Sequence, residues 1–185
     1  MKHMGSKTIE TDRLILRKFN LGDANNMFTN WANDDEVTKY LTWPAHKSVE
    51  ESEKIIGMWI KDYDSQNFYQ WCIELKQTGE AIGGISVVNI KEDIRSVEVG
   101  YCIGRKYWGQ GITSEAFGAL ITFFFEEVQV NRIEARHDIN NPNSGRVMEK
   151  CGLIKEGVQK QGLKNNNGIN DSVIYGLVRD DWKQN

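Results

Sequence analysis

The chain has little cysteine: three thiols in 185 residues, Cys72, Cys102 and Cys151. An odd count at wide spacing argues against a disulfide framework and suits a reducing cytoplasm. No zinc-ligand spacing appears, so no metal is expected. Long apolar runs are missing too. The longest, near Leu120 to Phe125, is far too short to span a bilayer. The opening Met1-Lys2-His3-Met4-Gly5-Ser6 is too short and polar for a secretory leader, so residues 1–8 read as a disordered N-terminus or an expression remnant. Positive charge is not in excess. A net charge of -3 leaves no basic footprint for nucleic acid and mildly suits an amine-bearing partner. No repeat, low-complexity tract or linker divides the sequence. Residues 9–183 therefore read as a single cytoplasmic domain, away from membranes.

What is present is alternation and helical spacing in turn. Thr11 to Phe19 reads as a strand around Leu14-Ile15-Leu16-Arg17. A polar helix is expected from about Asp23 to Asn33. Ser48 and Glu51 have capping-box spacing ahead of a helix with Ile55, Ile56, Trp59 and Ile60 on one face. Strands follow at Phe68 to Leu75, Ile82 to Asn89 and Val97 to Ile103. A helix from about Ser114 to Glu127 repeats Phe117, Leu120, Ile121, Phe124 and Val128 at helical spacing. Arg132 to Ile139 alternates. Asn143 or Ser144 can cap a short helix through Lys150 that Gly152 can end. Ile154 to Lys164 and Asp171 to Val178 read as a hairpin around Asn165-Asn166-Asn167-Gly168. This order gives an α+β domain with a mixed sheet.

The segment Trp108-Gly109-Gln110-Gly111-Ile112-Thr113-Ser114 stands between a strand and a helix. Glycine permits a tight turn and close approach, and the helix start offers free N–H groups and partial positive charge. Together these can seat a phosphate. A dinucleotide fingerprint would need glycine where Ser114 stands, and a Walker loop needs Gly-Lys-Ser/Thr. A tight turn without a ligand is the plain alternative.

Read with its neighbours, the stretch Val97 to Ala116 resembles the GNAT acetyltransferases, and within them the RimJ/RimL type. Trp108, Gly111 and Thr113 occupy the three marked places of the Arg/Gln-x-x-Gly-x-Gly/Ala pyrophosphate loop. A second block, Asn141-Pro142-Asn143-Ser144-Gly145-Arg146-Val147-Met148-Glu149-Lys150-Cys151-Gly152-Leu153, is similar to the family's Asn-x-x-Ser-x-x-Val-Leu-Glu-Lys-x-Gly-Phe. Thr11 to Arg17, and Asp171 to Leu177 with Trp182, also look like this branch. The resemblance covers roughly residues 9 to 182.

It implies a GNAT fold of about seven mostly antiparallel strands and about four helices, splayed between the strand ending at Ile103 and that spanning Ile133 to Ile139. It implies acetyl-CoA as donor, with pantetheine along the Tyr101, Cys102 and Ile103 edge and pyrophosphate on Trp108 to Ser114. The Cys102 and Ile103 backbone is placed to meet an oxyanion. Asn141 would hold a pantetheine amide, or simply shape the turn before Pro142. An amine acceptor must lose a proton, and Glu98 is the candidate base; its other reading is a solvent-facing strand residue. Many relatives offer a tyrosine to the leaving thiolate where this chain has Met148. Ser144 is then the candidate acid, unless it only caps its helix. Trp43, next to Pro44, is a candidate acceptor wall. Tyr101 reads as a packing residue, His137 as packed or surface, and Cys151 as a buried structural thiol. The branch implies a protein N-terminal α-amine as acceptor. A small amine, such as a polyamine, aminoglycoside or amino sugar, and a CoA-binding sensor without turnover stay open, as does a homodimer.

Overall fold

In the computed structural model, residues 1–183 are described. Strands β1 (Ile9–Glu10), β2 (Leu14–Arg17), β3 (Gln70–Leu75), β4 (Glu80–Lys91), β5 (Ser96–Ile103), β6 (Arg132–Asp138), β7 (Ile154–Asn165) and β8 (Gly168–Val178) form one sheet. Their order is β1-β2-β3-β4-β5-β6-β8-β7. Neighbours run antiparallel except β5 and β6, which are parallel. The eighth strand, beyond the seven expected, is the two-residue β1, too short to leave an alternation pattern.

Alternation divides the core between the two faces of the sheet. Trp71 and Ile73 join one apolar cluster, while Cys72 between them joins the other. Helices α4 (Ile112–Phe123) and α5 (Pro142–Lys150) pack on the first face. The second face carries a helical stretch from Leu21, with α1 (Ala24–Met27) running into a π turn at Phe28–Ala32, then α2 (Asp35–Thr38) and α3 (Val49–Asp62). A last turn, α6 (Arg179–Trp182), follows β8. Six helices thus replace the four expected, because α2 and α6 are single short turns and the early helix is broken.

Ring packing anchors the first face. Tyr69 stacks on Trp71 at 5.7 Å and meets Phe124 at 5.2 Å. Each such buried ring contributes roughly 1.5–3 kcal/mol of transfer free energy. After Phe123 the helix widens into a π turn, Phe124–Val128. That turn brings Phe125, outside the expected apolar face, against Trp182 at 5.2 Å and leaves it fully buried.

Two local expectations change. Ser48 sits at the start of α3, yet its side chain makes no cap bond; Glu51 instead accepts the Lys47 N–H at 2.8 Å. Ile60 is exposed, and Ile56 is the buried centre of that helix. The N-terminal residues contact the body of the fold. The buried Trp71 indole needs an acceptor and takes the Lys7 carbonyl at 2.7 Å, while the Lys2 N–H donates to the Val128 carbonyl at 2.8 Å.

Candidate active site

The parallel pairing of β5 and β6 is short. It runs through Ser96–Arg132, Val97–Ile133 and Glu98–Glu134 and no further among the described residues. Beyond it β5 continues to Ile103 and β6 to Asp138, so a gap opens between them. Both faces of the sheet reach this gap. Val97, Val99, Tyr101 and Ile103 face α4 and α5, whereas Cys102 packs with the early helices. Strand alternation puts Glu98 on the Cys102 side.

The glycine loop closes one end. Gly109 and Gly111 have φ of +73° and +75°, the left-handed region that glycine adopts without strain. No side chain caps the start of α4, so its leading N–H groups remain available to an anion. The Trp108 indole donates to the Ile103 carbonyl at 3.0 Å, which ties the loop to the end of β5. Gln110 folds back onto the Lys106 carbonyl at 2.8 Å. Ile112 is buried in the core, and Thr113 and Ser114 complete the first turn. Sequence reasoning missed Arg13. Its guanidinium donates to the Gln110 carbonyl at 3.0 Å and to Glu115 at 2.6 Å. A Cβ on Gly111 would lie 3.7 Å from Arg13 Nη2. The Arg in Thr11-Asp12-Arg13 was visible, but its partner lies about a hundred residues away.

On the α4–α5 face, Ser144 and Tyr101 meet. The Ser144 hydroxyl donates to the Tyr101 hydroxyl at 3.1 Å, and Tyr101 donates to the Ser144 backbone carbonyl at 2.9 Å. Burial pushes the Tyr101 pKa well above its ordinary value, with the Ser144 bond opposing. Ser144 is therefore not a helix cap: α5 begins at Pro142, the cap position is Asn141, and Ser144 lies inside the first turn. Proline at the first helical place suits the start, since it has no N–H to leave unpaired. Tyr101 both packs, with its ring 5.7 Å from Phe117, and donates. Met148 is buried, in the place where a tyrosine was sought.

Two thiols lie nearby, both half-buried. Burial raises Cys102 to about 12 and Cys151 to about 11, leaving almost no thiolate at neutral pH. The Cys102 backbone is paired with Gly84 on β4, so of the two expected oxyanion donors only the Ile103 N–H faces the gap. His137 is buried against Tyr175 at 5.7 Å, with Nδ1 on the Asp138 carbonyl at 2.7 Å.

On the opposite face Glu98 is only 7% exposed and is not the solvent-facing residue the alternative supposed. Arg136 on β6 reaches it: Nη2 donates to Oε2 at 2.9 Å, and Nε lies 2.6 Å from Oε1. This pair spans the two strands where they part. Next to it Glu134 accepts from Lys91 at 2.8 Å and Arg132 at 2.9 Å. Burial opposes its charge, but these bonds outweigh burial and hold its pKa below the ordinary glutamate value. Trp43 lies in the loop after α2, its ring 5.3 Å from His46, partly buried beside the second cluster. Trp31, Tyr69 and Trp71, from the same aromatic-rich region, are core.

A left-handed glycine turn before an uncapped helix, at the end of a half-unpaired strand, fits an acyl-CoA. Comparison with known proteins agrees. Residues 13–154 match the acetyltransferase (GNAT) domain. The chain belongs to the GNAT acetyltransferases. It is 33% identical to the uncharacterized N-acetyltransferase YoaA of Bacillus subtilis (strain 168), over 92% of this chain and 96% of that one. It is 29% identical to the ribosomal-protein-serine acetyltransferase of Escherichia coli (strain K12), covering 80% of this chain and 82% of that one. Among solved structures, a GNAT-family acetyltransferase from Bacillus anthracis superposes with a TM-score of 0.83 at 25% identity, covering 94% of this chain and 99% of that one.

This GNAT chain is an acyl-CoA-dependent N-acetyltransferase, with acetyl-CoA as its donor. Among the described residues no cluster of His, Cys, Asp or Glu could hold a metal, and no helix is long and apolar enough to cross a membrane.

Proposed function

We propose that the acceptor is a protein N-terminal α-amine of the ribosomal-protein type. What supports this is the E. coli relative named for ribosomal-protein-serine acetylation, and a second named for the alanine of ribosomal protein uS5, at 27% identity. An α-amine is also the easier nucleophile: its ordinary pKa is near 8, against above 10 for a lysine side chain.

The observation that carries the mechanism is the gap itself, with Glu98 on one face and the Ser144–Tyr101 pair on the other. Acetyl-CoA supplies a thioester carbonyl to this gap. The leading N–H groups of Gly109 to Ser114 hold its phosphates, with Arg13 bracing the loop. The Tyr101 to Ile103 edge and Asn141 hold the pantetheine. The backbone N–H of Ile103 donates to the oxygen that gains charge; that of Cys102 points the other way, to Gly84 on β4. Glu98, fixed by Arg136, takes the ammonium proton directly or through a water. The Ser144 hydroxyl donates toward the departing sulfur, and Tyr101 steadies it. Trp43 walls the acceptor entry on the Glu98 face.

The test is thiol release with acetyl-CoA and a panel of peptides beginning with Ser or Ala, spermidine and an aminoglycoside. Turnover with peptides alone is expected. Turnover with spermidine or the aminoglycoside alone would establish the small-amine reading instead.

A further inference from the structure

Asp138, at the end of β6, is 1% exposed, yet among the described residues it forms no ion pair. A buried carboxylate without a cation is costly and survives only when its oxygens are fully hydrogen-bonded. Three amide hydrogens meet that need. Oδ1 accepts from the Asn140 backbone N–H at 2.8 Å and from Asn140 Nδ2 at 3.0 Å. Oδ2 accepts from Asn165 Nδ2 at 2.7 Å. The carboxylate thus fastens the β6–α5 turn to the tip of the β7–β8 hairpin.

Both fastened parts hold the same third segment. Tyr40 donates to the Asn140 carbonyl at 3.0 Å. Asn166, next to Asn165, donates its side chain to the carbonyls of Thr38 at 2.9 Å and Trp43 at 2.6 Å, and its N–H to Leu41 at 3.1 Å. At the β5 side the segment is held separately. Asp34 pairs with Arg105 at 3.0 Å, and Asn30 donates to the Ala81 carbonyl at 2.8 Å. A Cβ on Gly104 would lie 2.4 Å from the Asn30 carbonyl oxygen, so the contact there is close. Residues 30–43 therefore bridge the open end of the gap, with one foot beyond β5 and the other on the turn and hairpin joined by Asp138.

We infer that Asp138 is a positioning residue that sets the acceptor side of the gap, acting through Asn140 and Asn165 on the Thr38–Trp43 loop. This rests on the acetyltransferase reading of the gap, with the acceptor entering beneath that loop. Asp138 touches neither partner of the reaction in this role. Asp138→Asn keeps an oxygen for Asn140 and sets an N–H group against Asn165 Nδ2. Asn165 cannot simply flip its amide, because its Oδ1 already accepts the Asn167 N–H at 2.8 Å. The Asn141 N–H is held by the Asp138 backbone carbonyl at 2.7 Å, which the substitution leaves in place. The donor side should therefore be spared.

The experiment uses the full chain in two arms. Hydrogen exchange followed by mass spectrometry reads residues 38–46 without any acceptor. Steady-state kinetics with acetyl-CoA and the Ser- or Ala-initiated peptides reads each KM. Asp138→Asn and Asn166→Ala should each raise exchange in residues 38–46 about tenfold, as expected for one lost buried hydrogen bond. Peptide KM should rise about tenfold, with less than a twofold change for acetyl-CoA. The exchanged pair Asp138→Asn with Asn165→Asp should recover both, since it restores a carboxylate facing an amide. Unchanged exchange in a folded Asp138→Asn overturns the inference. So does an equal rise of both KM values, or an exchanged pair no better than Asp138→Asn. If Asp138→Asn does not fold, Asn165→Ala, which removes the amide on Asp138 Oδ2, decides by the same exchange and KM values. Absence of wild-type turnover with every peptide would refute the proposed acceptor, while the exchange arm would still decide on Asp138.

Discussion

Ser144 and Tyr101 form a reciprocal pair, hydroxyl to hydroxyl at 3.1 Å and hydroxyl to backbone carbonyl at 2.9 Å. They join α5 to β5 beside the gap. On the proposed mechanism the Ser144 proton turns from the Tyr101 hydroxyl toward the leaving group, while the Tyr101 proton stays on a carbonyl. Ser144→Ala should lower kcat about a hundredfold and leave acetyl-CoA KM within a few-fold, the range usual for loss of a general acid. Tyr101→Phe, which keeps the ring against Phe117, should cost less. Steady-state rates of both variants check this, and an unchanged kcat for Ser144→Ala would remove serine from proton transfer.

Glu98 offers a different signature. With Glu98→Gln the reaction should depend on the small fraction of amine already deprotonated in solution. The loss, about a hundredfold near neutrality, should then be greatest at low pH and shrink toward pH 9, where an α-amine is mostly free base. Acetyl-CoA affinity should not change. A pH–rate profile parallel to that of the wild type would place the base elsewhere.

The glycine loop is tested by binding alone. Gly111→Val forces a branched side chain into φ of +75°, at a cost of roughly 1–2 kcal/mol, and points it toward Arg13. Acetyl-CoA Kd by calorimetry should rise at least about tenfold. Unaltered affinity would mean that the phosphates lie elsewhere.

These residues differ in how plainly the sequence announced them. Strands and the helix after the glycine loop were legible because alternation and the Phe117–Leu120–Phe124 spacing report burial directly. The Gly109–Gly111 turn and the Asn141–Gly152 block were legible as local motifs. The start of α5 was left between Asn143 and Ser144, since Asn-Pro-Asn-Ser offers several starts; the helix begins at Pro142, whose fixed φ suits the first helical place. Arg13, Arg136 and Asp138 escaped notice because their meaning lies in partners on other strands, and no local period encodes that. The contact of Lys7 was not legible either, because its partner is a distant indole seeking an acceptor.

Glu134 gives a stability prediction with a definite sign. Its folded-state pKa is depressed, so its contribution is complete above the ordinary glutamate value near 4.3 and is lost as pH falls through the lower folded value. Glu134→Gln should therefore cost about 2 kcal/mol at pH 7, and urea titrations should find the gap from the wild type narrowing toward pH 3. A difference independent of pH would mean that packing, not charge, is what the substitution removes.

The short parallel pairing has a mechanical consequence. Three residue pairs weld a five-stranded plate to a three-stranded one, and the remaining length of the joint is carried by side chains and by α4 and α5. Under load, or in mild denaturant, the sheet should yield along this joint before either plate loses its own antiparallel ladders. A molecule lodged in the opening would then act as a splice, making the two plates unfold as one.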